Sequence, residues 1–390
     1  MTGARYARPA RRVVYRVGLA AAAIIALLLG YVVVVGVLRS RPLTLPAPSG
    51  PFPVGRSIVT VPAGSTTPDE PRRAAWVWYP AQPGSADDAP RVDYVPDGWS
   101  GPGTLPPTVG VGWLLQDVGA VTAWARRDAT PAPGPAPVVV LAPGFETAPW
   151  MYTTLGEELA SRGRVVALLV PPTTPARVVD GMPRTSPTAP APPTGAEVDS
   201  LIHRQSVDMT ALLNAFTSAD PPVPVTVDAR RTVFAGHSLG GGAAVRACEL
   251  EPRCVGSINM DGPQPDRAPA KPELLLGSDR SCAAVTPCAE DGAPRAYTDW
   301  LVQRRAGSPP TSTATITGAG HNSFGDPVHY FVAPPVGAAA GVGDIPAHRM
   351  HAVLTRTLDT TIDELLHHGH IGHVEPGVAA GLPELVRLPD

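Results

Sequence analysis

Apolar positions fall into three regimes along the chain. The first is a single unbroken run, Val17 to Leu38, with no charged residue. It has no polar face, and at about 1.5 Å per residue a helix of that length spans a bilayer core. The second covers residues 54–127, where short apolar stretches alternate with polar, proline-rich ones. It predicts strands at Arg56–Val61 and Ala74–Tyr79, loop over 81–108 and a helix over 109–127 packed on the body. The third begins after the turn-rich Pro131–Pro137 and switches regularly between short β-branched runs and helical spacing. Strands are expected at Val138–Ala142, Val165–Val170, Thr232–Ala235, Val255–Met260, Glu273–Leu276 and Ser312–Ile316. Helices are expected at Tyr152–Arg162, Glu197–Ser218, Gly241–Leu250 and Ala347–His368. Continuous β-branched runs are the mark of strands buried on both faces, and strand–helix alternation implies a mostly parallel sheet flanked by helices. Residues 171–195 are rich in proline and threonine without periodicity and read as a long insertion, a lid or binding loop.

Charge gives the first run an orientation. Arg5, Arg8, Arg11, Arg12 and Arg16 precede it, whereas only Arg39 and Arg41 follow closely. The positive-inside rule then predicts a basic cytoplasmic tail at 1–16, a single-pass anchor at 17–38, a proline-rich stalk at 39–53 and an extracellular domain at 54–390. A cleaved signal peptide, releasing a secreted protein, is the alternative; it would have a shorter apolar core and a small-residue cleavage site. The formal net charge of −3 gives no reason to expect a nucleic-acid partner. The four cysteines, Cys248, Cys254, Cys282 and Cys288, suit an oxidising exterior. Three connectivities are open to them, and the local pairs 248–254 and 282–288 are the economical choice. Neither pair has zinc-ligand spacing, so neither a metal nor a cofactor is expected.

Gly236-His237-Ser238-Leu239-Gly240 carries the candidate chemistry. Composition alone would produce roughly 0.2 copies of G-x-S-x-G in a chain of this length, so the context has to support it. An expected strand runs into the motif and an expected helix leaves it, the setting of a serine held on a sharp turn. A serine hydroxyl needs a base, and in this order the base follows the nucleophile. His321 lies just past the strand Ser312–Ile316, on the same rim as Ser238, whereas several of the other late histidines fall in a helix or a polar tail. An acid to orient it would also come from a strand end, and Asp261 and Asp279 both qualify. The loop Leu141-Ala-Pro-Gly-Phe145 follows the first central strand, so the backbone N–H groups of Phe145 and Leu239 are the candidate oxyanion donors.

Together these residues resemble the platelet-activating factor acetylhydrolase family, plasma type, within the α/β-hydrolases. The likeness runs through Pro48–Gly55, Val77-Trp-Tyr-Pro80, Pro143-Gly-Phe145, Leu159-Ala-Ser-Arg-Gly163, the GHSLGG segment at 236–241, Ile258-Asn-Met-Asp261-Gly and Gly320-His-Asn-Ser-Phe324. It implies an α/β-hydrolase fold behind the N-terminal helix. It also implies a serine carboxylic-ester hydrolase working through an acyl-enzyme on short-acyl lipid esters. The family takes its acid from the strand directly after the nucleophile helix, which selects Asp261 over Asp279. The chain departs from the family at Ala142-Pro-Gly-Phe145, where members often have Ser-His-Gly; polyester-cleaving, cutinase-like enzymes often have Pro-Gly-aromatic there. An esterase of that kind, an acyltransferase, or an inactive cell-surface binding protein are the alternatives.

Overall fold

A computed structural model describes residues 7–64, 70–85, 89–99, 116, 118–174, 176–179, 182–185, 193, 195–264, 269–278, 311–331, 337, 340–372 and 381–387. The helices are α1 (Ala7–Arg39), α2 (Thr153–Ser161), α3 (Gly195–Phe216), α4 (Leu239–Leu250) and α5 (Ala347–His368). The strands of the first half are β1 (Val54–Val61), β2 (Arg73–Pro80), β3 (Arg91–Asp93), β4 (Thr122–Arg127), β5 (Ala136–Ala142), β6 (Val165–Val170), β7 (Ala176–Val179) and β8 (Met182–Thr185). Those of the second half are β9 (Val227–His237), β10 (Cys254–Met260), β11 (Glu273–Ser278), β12 (Thr311–Ile316) and β13 (Leu385–Arg387).

Among the described residues, eleven strands form one sheet in the order β13-β12-β11-β10-β9-β5-β6-β2-β1-β4-β3. From β6 to β12 every neighbouring pair is parallel. β2 joins this parallel body antiparallel to β6, and β13 closes the far edge antiparallel to β12. The chain moves from β5 outward to β6 and later returns to β9 on the other side of β5. That reversal opens a crevice beyond the carboxyl ends of β5 and β9, where open α/β sheets hold their ligands.

Alternation along each central strand divides the core between two faces. Val139 and Leu141 of β5, with Val233 and Ala235 of β9, face α2 and α5 through Leu155, Leu159, Met350, Val353 and Leu358. Val138 and Val140, with Phe234, face α3 and α4 through Met209, Leu212, Leu213, Ala243 and Ala247. Both sets are fully buried, so these strands read as continuous apolar runs rather than as alternating ones. α5 stops where Gly369 takes a left-handed φ of 68° at its C-cap.

Four expectations change. The segment 109–127 is not a helix over its described part. Val118–Ala120 is a single 3₁₀ turn, and Thr122–Arg127 is β4, paired parallel with β1 and antiparallel with β3. Its alternating burial, with Ala123 and Ala125 inside, is a two-residue period too short to stand out in an apolar stretch. The expected loop 81–108 contains β3. Within the 171–195 insertion, β7 and β8 form a two-stranded antiparallel hairpin. Residues 45–52, expected in the stalk, lie against the body: Ser49 donates to Glu158, Phe52 N–H donates to Ser161, and Leu45 is buried. Along α1, Val13–Arg39 is long and apolar enough to cross a membrane, and most of its large apolar side chains are exposed. Cys248 and Cys254 form a disulfide joining the end of α4 to the start of β10. Cys282, Cys288 and Asp279 lie outside the described residues.

Candidate active site

β9 delivers Ser238 and α4 begins at the next residue, so the chain must reverse within one position. Ser238 takes the strain, at φ 55° and ψ −128°. Such a backbone costs a non-glycine residue on the order of 1–3 kcal/mol and persists only where the surroundings enforce it. The flanking glycines are required by space. A Cβ at Gly236 would come within 1.9 Å of the Gly240 carbonyl oxygen, and one at Gly240 within 2.4 Å of the Ala142 oxygen.

The ends of β10 and β12 bring the partners. His321 opens a 3₁₀ turn five residues after β12, and its Nε2 accepts from the Ser238 hydroxyl at 2.9 Å. Its Nδ1–H donates to Asp261 Oδ2 at 2.7 Å. Asp261 follows β10 directly, in a left-handed conformation of its own, φ 54°. Asn259 supports that turn by accepting the Gly262 N–H at 2.9 Å. The Asp261 carboxylate is fully buried. It also accepts the Ser278 amide on Oδ1 and the Ser278 hydroxyl on Oδ2, both at 2.9 Å. Burial pushes its pKa up, but the His321 bond and charge and the Ser278 bonds outweigh it, and the net direction is down. The carboxylate therefore stays ionised and holds His321 with its free nitrogen toward Ser238. The His321 side chain is 39% exposed, open to a substrate from the crevice.

The loop after β5 faces the same point. A Cβ at Gly144 would meet the Ser238 Cβ at 3.1 Å, so the loop passes close to the serine side chain. Gln205 of α3 holds this loop by donating to the Pro143 carbonyl at 3.1 Å. Among the described residues, the Phe145 and Leu239 amides, the candidate oxyanion donors, have no hydrogen-bond acceptor in the protein. Leu239 and Gln205, with Pro171, Pro172 and Arg204, also line a small cleft.

The structure thus brings together Ser238, His321, Asp261, Phe145 and Leu239. Two residues of the site carried no signal that sequence reading used. His237, the variable residue of the motif, is buried between the Phe324 ring, stacked on it at 5.7 Å, and the His321 ring at 4.8 Å. Burial, with the nearby His321, pushes its pKa down to about 3 and keeps it neutral. Tyr152, just before α2, is equally buried and bonds to His237. Among the described residues no group of three or more His, Cys, Asp or Glu side chains is placed to hold a metal ion.

No protein-family model matches the chain, and no curated protein does. Among solved structures it is similar to a ferulic acid esterase from Streptomyces cinnamoneus, at 27% identity and a TM-score of 0.67, over 88% of this chain and 98% of that one. With the mixed sheet and its flanking helices, this likeness fits the α/β-hydrolase fold and supports an esterase of that type.

Proposed function

We propose that the chain is a serine carboxylic-ester hydrolase with Ser238 as nucleophile, His321 as base and Asp261 as orienting acid. The observation that carries this is the continuous relay from the Ser238 hydroxyl through His321 to Asp261, at 2.9 and 2.7 Å, with the serine on a strained turn. Ser238 Oγ attacks the acyl carbon while His321 Nε2 takes its proton. The oxygen of the tetrahedral intermediate sits between the Phe145 and Leu239 amides, each such donor being worth roughly 2.7–4 kcal/mol in the transition state. Collapse expels the alcohol, which His321 protonates. Water, activated by the same imidazole, then attacks the acyl-enzyme and releases the acid. Asp261 never becomes protonated in the cycle; it stabilises the imidazolium.

The substrate is a carboxylic ester, and two acyl classes have support. The sequence resemblance favours short acyl groups on phospholipid-like alcohols. The ferulic acid esterase likeness favours an aromatic acyl group. The exposed apolar helix α1, with arginines before it, supports a domain tethered at the outer membrane face. Ser238→Ala is expected to abolish p-nitrophenyl acetate hydrolysis, and a fluorophosphonate probe to label the wild type at Ser238. A folded Ser238→Ala variant with full activity, or a wild type that resists the probe, overturns the reading. Hydrolysis rates on acetyl phospholipid and methyl ferulate, measured side by side, separate the two acyl classes.

A further inference from the structure

Tyr152 and His237 form a directed chain that touches every moving part of the site. The His321 carbonyl accepts from His237 Nε2 at 2.8 Å, and a carbonyl can only accept, so the proton of the neutral ring lies on Nε2. His237 Nδ1 is then an acceptor, and the Tyr152 hydroxyl, 2.8 Å away, donates to it. The Tyr152 oxygen in turn accepts the Gly144 N–H at 3.0 Å. The order is Gly144 N–H to Tyr152, Tyr152 to His237, and His237 to His321. The Tyr152 oxygen also interacts with the Thr147 hydroxyl of the same loop, and both side chains of the chain are buried.

The chain links the loop after β5, the last residue of β9 and the loop after β12. β5 and β9 pair only as far as Ala142 and Gly236, so Gly144 and His321 both lie beyond the strand pairing that fixes His237. With its own N–H fixed on Tyr152, Gly144 leaves the next amide, Phe145 N–H, as the one turned toward the reacting oxygen. With its carbonyl fixed on His237, His321 has its backbone set relative to Ser238 independently of its ring contact with Asp261.

Resting on the hydrolase reading above, we propose that Tyr152 and His237 are positioning residues that lock the oxyanion loop and the catalytic histidine into register with Ser238. Neither exchanges a proton with substrate. They act in the transition state, where an error in placing the oxyanion donor or the base is felt, and hardly in ground-state binding.

Tyr152→Phe removes one oxygen and keeps the ring. It is expected to lower kcat for p-nitrophenyl acetate about 10- to 100-fold, the scale of a misplaced catalytic group, while KM stays within about twofold. Fluorophosphonate labelling of Ser238 should slow by a comparable factor yet still reach completion. His237→Leu, which has no polar side-chain atom, should match it. His237→Gln, which keeps a donor and an acceptor, should retain about fivefold more kcat than His237→Leu, the value of one restored hydrogen bond. The double variant Tyr152→Phe/His237→Leu should be no worse than the poorer single one, because the chain fails as a unit. An unchanged kcat in Tyr152→Phe, a change in KM alone, additive losses, or equal activity of the Gln and Leu variants overturns the proposal. So does activity that merely tracks the folded fraction, read by circular dichroism, in every variant. A wild type that the probe never labels removes the hydrolase reading itself; a labelled wild type with an unimpaired Tyr152→Phe removes the positioning role alone.

Discussion

The Ser238 amide N–H donates to the Met260 carbonyl at 2.9 Å, so Ser238 hangs from the residue immediately before Asp261. Two left-handed non-glycine residues, at φ 55° and 54°, therefore stand side by side at the ends of adjacent strands. Relieving the first strain should be visible in stability. Ser238→Gly is expected to be inactive yet about 1 kcal/mol more stable than Ser238→Ala. That figure is the strain of roughly 1–3 kcal/mol less the 0.4–1 kcal/mol that glycine adds to unfolded-chain entropy. Urea unfolding of the two variants measures it, and equal midpoints would count against a strained elbow.

Asp261→Asn puts an amide where His321 and Ser278 need an acceptor. The expected loss in kcat is about 10⁴-fold, the scale for an imidazole held in the wrong tautomer. The same carboxylate shapes acid stability. Its folded pKa lies below its unfolded value, so the native state binds fewer protons. The stability it contributes is present above about pH 4, the unfolded value, and disappears as pH falls through the folded one. Wild type should lose stability more steeply than Asp261→Asn between pH 5 and pH 2, read as urea midpoints.

Glu157 works in the opposite direction. It is fully buried below β4, accepts the Ala125 N–H at 2.6 Å and leaves its other oxygen without a partner. Burial raises its pKa to about 8, only partly offset by the Ala125 bond and the Arg56 charge. A raised carboxyl pKa means the native state holds a proton that the unfolded chain has released. Stability from this group is thus fully present below about pH 4.3 and declines as pH rises toward 8. Glu273, raised to about 7 by its own burial, adds to the decline. Glu157→Gln should flatten the fall in Tm between pH 5 and pH 8, and an unchanged slope would exclude Glu157 as its source.

The Cys248–Cys254 bridge closes a short loop between α4 and β10, the two elements that carry Ser238 and Asp261. Loop-closure entropy assigns about 2 kcal/mol to a loop of this size. Cys248→Ser/Cys254→Ser should lower the urea midpoint accordingly while leaving kcat within about threefold, because the bridge lies at the far end of both elements from the catalytic rim. Dithiothreitol should reproduce the shift in wild type and have less effect on the double variant.

The parallel half of the fold was legible because its strands are buried on both faces. β6 and α5 occur where their apolar runs and helical spacing placed them, and the other central strands extend those runs by a few residues. Ser238 and His321 were legible through motif and strand-end position; Asp261 needed the family resemblance to separate it from Asp279. What stayed hidden has a common cause. β3, β4, β13 and the β7–β8 hairpin are short strands, whose two-residue alternation spans too few positions to compete with neighbouring apolar or proline-rich residues. Tyr152 and His237 occupy buried core positions, and their pairing depends on an 85-residue separation that no local pattern carries.

The sheet order also governs when the protein becomes competent. Ser238 and His321 are 83 residues apart, and Asp261 and His321 are 60 apart, yet they meet across two intervening strands and one intervening strand respectively. Parallel pairings of this kind close long loops before they return any contact energy, which makes them slow steps in folding. β12 must dock on β11 before His321 reaches the rim, so on the proposed mechanism a partly folded chain has Ser238 in place before His321. Hydrolytic activity is therefore a late marker of refolding, and its recovery after dilution from denaturant should trail the recovery of helical signal.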